Sequence, residues 1–361
     1  MPSVPAQVAV LRTRPETVVA DYGRLMRLGK YDRLLPREQD LILKLNLSWT
    51  KYFPACSSQP WQVEGIVKTL REDGYDRARI FPVENKTVVT NPVKGAHNNK
   101  WMPILQRAGL PFIPLPDVEW ITYRFTSPLL KLNDIFPEGI QIPKMYVGKN
   151  ILQAPTCKVH GHAVTTGAIK NSFGGLLKEV RHYAHEFMHE VLVDLMYMQR
   201  ELHPSVFAVM DGTVMGDGAG PRTMIPRVGN LILASADQVA IDAIAAKIMG
   251  FDPLSIPYLR MCHERGLGVA DPRKIEILGD ADAADLNMGF RTRRSLVIWG
   301  DQLIRKGPLR PLKKLLLHSP LVVWAPFASN VYHDWLWYPT IGAARIREFS
   351  RTPWGRLFET Y

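Results

Sequence analysis

Hydrophobic positions in the first half of the chain fall into short runs separated by amphipathic stretches. Gln7–Arg12 is a short apolar run, and Leu41–Leu47 (LILKLNL) is apolar and β-rich, the pattern of a strand buried on both faces. Arg14–Arg27 and Gln59–Asp73 carry helical spacing instead. The second has Pro60 suited to a first turn and Gly74 just past its end. Ala78–Val83 reads as a strand, Lys100–Ala108 as a helix and Pro111–Pro114 as a strand. This alternation predicts an α/β fold: a mixed, mostly parallel sheet with helices on both faces. Ligands of such sheets bind beyond the carboxyl ends of strands. The loops Ser48–Gln59 and Glu84–Asn99 stand there, with Lys51, Ser57, Ser58, Lys86 and His97.

The second half is less regular. Val118–Lys144 is punctuated by proline and reads as short antiparallel strands. Asn150–Ala154 is a strand, and Val180–Arg200 has the spacing of a helix of about five turns. Ser205–Met210 reads as a strand that ends at Asp211 and a Gly-rich loop. Val228–Ala234 and Lys274–Leu278 are strands, and Gln238–Met249 and Pro253–Arg265 are helices. Beyond Asp285 the pattern changes: Arg291–Arg305 is helical, then Pro308, Pro311, Pro320, Pro326 and Pro339 interrupt it. The expected organisation is an α/β domain, residues 1–285, and a C-terminal extension, residues 286–361.

Charge sharpens that division. The chain carries a net +11, and from Leu286 onward twelve Lys/Arg face four Asp/Glu, so +8 of the excess lies in the extension. Five of the nine tryptophans lie there too. A basic, aromatic segment of this kind packs on its own domain, with at most one exposed cluster around Leu315–Phe327. The second reading is peripheral contact with an anionic membrane surface. The basic residues match no nucleic-acid-binding motif, so no nucleic-acid partner is expected. Cys56, Cys157 and Cys262 are sparse and far apart, which fits a reducing compartment and excludes an iron–sulfur cluster built from the chain's own cysteines. The first residues lack a basic start followed by an apolar stretch, and no run approaches the roughly 20 apolar residues of a spanning helix, so the expected location is cytoplasmic.

Candidate chemistry concentrates in residues 155–195. His160, His162, Lys170, Asn171, Arg181, His182, His185 and His189 all fall there, and five of the ten histidines lie within thirty residues. Imidazole is both a metal ligand and a proton shuttle near neutral pH. Asp211 and Asp242 are the acidic counterpart: two adjacent strand ends would bring them beside the histidines, and such a mixed set suits Fe²⁺, Mn²⁺, Ni²⁺ or Zn²⁺. Asp237 reads as a helix N-cap. The expected metal set is His160, His162, His185, Asp211 and Asp242.

The order of the pieces resembles the domain-of-unknown-function 362 family. A strand runs into Pro-x-x-Lys-x-His-Gly, followed by Thr-Gly-Ala-x-Lys-Asn-x-Phe-Gly, then Arg, then His. Leu43–Leu47 (LKLNL) resembles the family's Lys-x-Asn strand, Val209–Pro221 its Asp-Gly…Gly-Pro loop, and Ala234–Gly250 its Asp-x-x-Ala-x-Asp helix. The likeness spans about residues 40–280. It implies the fold above. Lys44, Asn46, Asn171 and Arg181 are the expected substrate contacts. A local likeness to lactate racemase-like proteins rests on the spacing of His160, Lys170 and His185. It implies catalytic roles for these three, with Lys170 pushed towards its neutral, nucleophilic form.

Two further motifs bear on function. His185-Glu186-Phe187-Met188-His189 is an H-E-x-x-H, which on a helix can bind zinc for a metallopeptidase if Asp194 or Glu201 supplies a third ligand. The expectation here is that only His185 faces the cleft. Gly216–Gly220 (GDGAG) lacks a following helix because Pro221 and Pro226 intervene, so a dinucleotide fold is excluded. The expected function is an enzyme acting on a small anionic substrate by metal-dependent redox or proton-transfer chemistry, an oxidoreductase or an isomerase/lyase. The alternatives are a non-catalytic anion- or metal-binding protein that docks through its tail, and the zinc metallopeptidase.

Overall fold

The computed structural model describes residues 6–87, 89–178, 184–305, 307–308, 311 and 324–361. The strands are β1 (Ala6–Arg12), β2 (Leu41–Lys44), β3 (Ile80–Glu84), β4 (Ile113–Pro114), β5 (Trp120–Tyr123), β6 (Ile140–Pro143), β7 (Asn150–Gln153), β8 (Thr156–His160), β9 (Val164–Thr166), β10 (Val206–Ala219), β11 (Thr223–Ser235) and β12 (Ile275–Gly279). The helices are α1 (Val18–Leu28), α2 (Tyr31–Leu34), α3 (Pro60–Glu72), α4 (Pro92–Asn98), α5 (Trp101–Arg107), α6 (Leu132–Ile135), α7 (Ala168–Leu176), α8 (Met188–Leu202), α9 (Gln238–Met249), α10 (Pro257–Glu264), α11 (Leu296–Arg305), α12 (Trp324–Asn330), α13 (Ala343–Ser350) and α14 (Pro353–Thr360).

The main sheet has the order β12-β1-β11-β10-β7-β2-β3-β4, with β8 paired to β10 and β9 to β8. Pairings β1/β12, β7/β10, β2/β7, β2/β3, β3/β4 and β8/β10 are parallel, whereas β1/β11, β10/β11 and β8/β9 are antiparallel. The mixed, mostly parallel sheet of the sequence reading is therefore present. Helices cover both faces, each over its own apolar core. One core gathers side chains of α7, α8, α9 and α10. The other gathers those of α1, α3 and α5, together with Trp337, Phe349, Trp354 and Phe358 of the extension. The irregular segment 118–144 resolves into the antiparallel pair β5/β6.

Three elements differ from the sequence reading. Strand β10 does not stop at Met210; it runs on to Ala219 as one arm of a long hairpin with β11. Asp211 therefore lies within a strand, not at its end. Helix α7, within the 155–195 stretch, has no counterpart among the elements read from the sequence. The long helix expected from Val180 starts at Met188, after a tight 3₁₀ turn over residues 184–187.

The face carrying α1 and α3 is organised by one buried carboxylate. Asp211 accepts hydrogen bonds from the Tyr22 hydroxyl at 2.6 Å, the Trp61 indole N–H at 3.1 Å, and the Thr213 hydroxyl and amide. Those contacts tie both helices to the middle of β10. Helix α1 approaches α3 so closely that a Cβ on Gly65 would lie 2.6 Å from the Tyr22 Cβ. Ala is the better helix former by about 0.5–1 kcal/mol. Tyr22 is fully buried and held by Asp211, so it cannot yield. Gly65→Ala is expected to lower stability by about 1–2 kcal/mol, overpacking outweighing propensity. Urea titration of the variant at unchanged m-value measures this.

Candidate functional site

Strand β8 follows β7, pairs in parallel with β10 and lies beside Asn46, which follows β2. Its alternation puts Thr156, Lys158 and His160 on one side, while Cys157 and Val159 enter the core on the other. Lys158 is 1% exposed. Its ammonium donates to Asn46 Oδ1 at 2.6 Å and to the Thr156 hydroxyl. Among the described residues no carboxylate lies at ion-pair distance from it. Burial lowers its pKa to about 8. Asn46 donates to Asn171 Oδ1 at 3.2 Å, and Asn171 donates to Gln153 Oε1 at 2.7 Å and to the Lys44 carbonyl at 3.2 Å. Gln153 continues to Ser172 and Gln199. A buried polar chain thus joins β2, β7 and β8 to helix α7.

Helix α7 is set in place from another helix. Its N-terminal amides, Ala168 at 2.6 Å and Ile169 at 3.2 Å, donate to the carboxylate of Asp242 on α9. The Tyr258 hydroxyl contacts the same group at 3.5 Å. A Cβ on Gly167 would fall 2.0 Å from Asp242 Oδ1, so this approach requires glycine. Burial raises Asp242 to about 7, even though the amide donors oppose it.

The outcome for the expected site is mixed. His160, Lys170 and His185 do converge. Burial, followed by the charges of Lys170, His162, His185 and Lys158, holds His160 well below the usual imidazole range. Its Nδ1 accepts the His162 amide at 3.1 Å, so the neutral ring carries its proton on Nε2. The rings of His160 and His162 lie 5.8 Å apart, and those of His162 and His185 5.6 Å apart. Lys170 lies over the Phe173 ring at 5.3 Å, and that ring meets His185 edge-on. The histidine row leads into a cleft of about 350 Å³ lined by His162, His185, Glu186, His189, Glu190 and Gln302, among others. Gln302 and the rest of α11 pass over the turn at Gly161.

Asp211 and Asp242 do not join the histidines. Asp211 is saturated by Tyr22, Trp61 and Thr213 on the α1/α3 side, and Asp242 is the cap of α7. The Lys44 ammonium, an expected substrate contact, is buried in an ion pair with Glu84 at 2.8 Å. Asn46 and Asn171 orient Lys158. Asp237 caps α9 as expected, accepting from the Val239 and Ala240 amides. Arg181 and His182 lie outside the described residues.

Among the described residues, the metallopeptidase geometry is absent. His185 sits in the 3₁₀ turn and His189 on α8, so the two do not share one regular helix, although both line the cleft. That corrects the expectation that only His185 would do so. Asp194 is held by the amides of Leu130, Lys131 and Leu132, and Glu201 by Thr126 and Ser127. Among the described residues no group of three or more His, Cys, Asp or Glu side chains is placed to hold a metal. Lys158, the most deeply buried cation beside the histidines, stands in the Pro-x-x-Lys-x-His-Gly motif but is not among the site residues expected from the sequence; its position two residues before His160 on one strand was the available signal.

The cap on α7 has a pH signature. Native Asp242 holds its proton up to about pH 7, whereas the unfolded chain releases it near the ordinary value of 3.8. The native state therefore binds more protons between these values, and this group's contribution to stability falls as pH rises from about 4 to 7. Asp242→Asn is expected to remove that slope. Asp242→Ala, which strands two buried amides, is expected to cost about 2–4 kcal/mol. Chemical denaturation at intervals from pH 4 to 8 measures both.

Comparison with known proteins adds the family. The chain is 24% identical over 221 residues to the Thylakoid-associated protein sll1697 of Synechocystis sp., an overlap of 59% of this chain and 63% of that protein. A crystal structure of a Thermotoga maritima protein overlaps it with a TM-score of 0.39 at 13% identity, covering 60% of this chain and 55% of the other. Among the described residues, no helix is long and apolar enough to cross a membrane. The family described as Domain of unknown function (DUF362) matches residues 41–247, from the Lys44–Asn46 strand through the capping helix α9 and across more than half of the sequence, and the chain belongs to it.

Proposed function

We propose that the chain binds a small oxyanion, a carboxylate or a phosphate, between Lys158, His160 and Lys170, and moves a proton to or from it. The observation that carries the reading is the buried ammonium of Lys158, which has amide and hydroxyl oxygens around it but no carboxylate partner among the described residues. An uncompensated buried cation is costly unless a ligand completes its shell. Neutral His160 offers an Nε2–H donor beside it, and Lys170 adds a second positive charge. With a pKa of about 8, Lys158 exists in both protonation states near neutral pH, the condition for an acid–base group. Glu186 and Glu190 line the neighbouring cleft at His162 and His185.

Binding an anion beside Lys158 raises its pKa, so binding near pH 8 to 8.5 takes up a proton. Isothermal calorimetry with small carboxylates and phosphates, in buffers of different ionisation enthalpy, is expected to show that uptake and to show affinity falling as pH rises above about 8. Lys158→Met, which keeps the volume of the stem, is expected to abolish both. Binding without proton uptake, or equal binding by the variant, would remove Lys158 from the reading.

A further inference from the structure

The C-terminal extension presents an exposed aromatic face. Helix α12 continues without a break through the π-helical segment Val331–Gly342 into α13. One side of this rod is fastened down. His333 and Trp337 are buried, Trp337 meets Phe53 at 5.3 Å between ring centroids, and Trp49 donates to Asp334 at 2.6 Å. Tyr338 donates to the Tyr52 carbonyl, and Arg345 to the Met224 carbonyl. The opposite side carries Trp335 at 64% exposure, Phe327 at 61%, Leu336 at 58% and Ile341 at 48%. Phe327 and Trp335 pack edge to face on each other at 6.2 Å, so these rings form a patch. The expectation that most tail tryptophans are buried holds for Trp337 and Trp354 and fails for Trp299, Trp324 and Trp335.

Charge identifies the occupant. The stretch Arg305–Lys314 (RKGPLRPLKK), which precedes the rod in sequence, has five basic residues and no acid. Arg347, Arg351 and Arg356 beyond it are exposed. Trp, Phe, Leu and Ile on a fixed helical face, flanked by a basic surplus of +8 over residues 286–361, is the composition that seats in the headgroup region of an anionic bilayer. An acidic protein surface would pair with the arginines but would leave several large aromatics to be matched by a complementary groove. We infer that Phe327, Trp335, Leu336 and Ile341 dock this protein peripherally on an anionic lipid surface, with the neighbouring basic residues supplying the attraction. This surface is independent of the Lys158 site.

The test uses the full chain and extruded vesicles, either of phosphatidylcholine alone or of phosphatidylcholine with phosphatidylglycerol, in a sedimentation assay at low and high salt. Binding to the anionic vesicles is expected to be at least ~10-fold tighter than to the neutral ones and to weaken at high salt. Phe327→Ser with Trp335→Ser is expected to weaken it by a further ~10-fold or more. Both side chains project from the surface, so the variant should keep the wild-type circular dichroism and melting temperature. Equal binding to both vesicles, no binding to either, or undiminished binding by a folded variant would overturn the inference. A dimer by light scattering that the variant dissociates, without vesicle binding, would assign the face to a second copy and overturn it equally.

Discussion

The carboxylate of Asp242 against the N-terminus of α7 is the contact on which the candidate site depends. A nine-residue helix containing Gly174 and Gly175 has little intrinsic stability. Its unpaired first amides lie in the interior, where water cannot satisfy them. Asp242 supplies the missing acceptor from a different helix, and Gly167 clears the space for it. That single interaction locks α7 to α9 and sets Lys170, Asn171 and Phe173 over the ends of β2, β7 and β8. Desolvation wins over the two amide donors in setting its ionisation, so the carboxyl is neutral over much of the acidic range.

Around that anchor, lysines of similar burial have opposite fates. Lys44 meets Glu84, and removal of either partner would leave an uncompensated charge, a loss of about 3–5 kcal/mol in typical cases. Among the described residues, Lys158 meets only neutral oxygens, those of Asn46 and Thr156. The amides Asn46, Asn171 and Gln153 connect the two, each using both donor and acceptor ends. Such a chain is rigid because any rotation of one amide would break two buried hydrogen bonds.

The extension belongs to this architecture at two places. Helix α11 crosses the turn between His160 and His162, and the last helices complete the apolar core on the α1/α3 face, where Trp354 lies 5.1 Å from Trp61 and Tyr361 donates to Glu64. The aromatic rod between them is held by its buried side and leaves its other side outward. A surface held this rigidly would lose little conformational entropy on docking.

The order of strands and helices was legible from hydrophobic spacing, because burial on both sheet faces leaves continuous apolar runs such as Leu41–Leu47. The clustering of His160, Lys170 and His185 was legible from their proximity in sequence, and Asp237 from its place before a helix. What sequence could not assign was the side to which each polar group turns. Asp211 lies within a long hairpin strand whose glycines disguise it as a loop, and strand alternation sends its carboxylate to Tyr22 and Trp61, away from the histidines. Asp242 and Gly167 are 75 residues apart, so only the packing of α9 on α7 makes one the cap of the other. Lys44 and Lys158 both sit on buried strands in similar company. Tertiary structure alone decided that a carboxylate stands beside the first and, among the described residues, none beside the second, because long-range packing, not local spacing, selects which charge is neutralised.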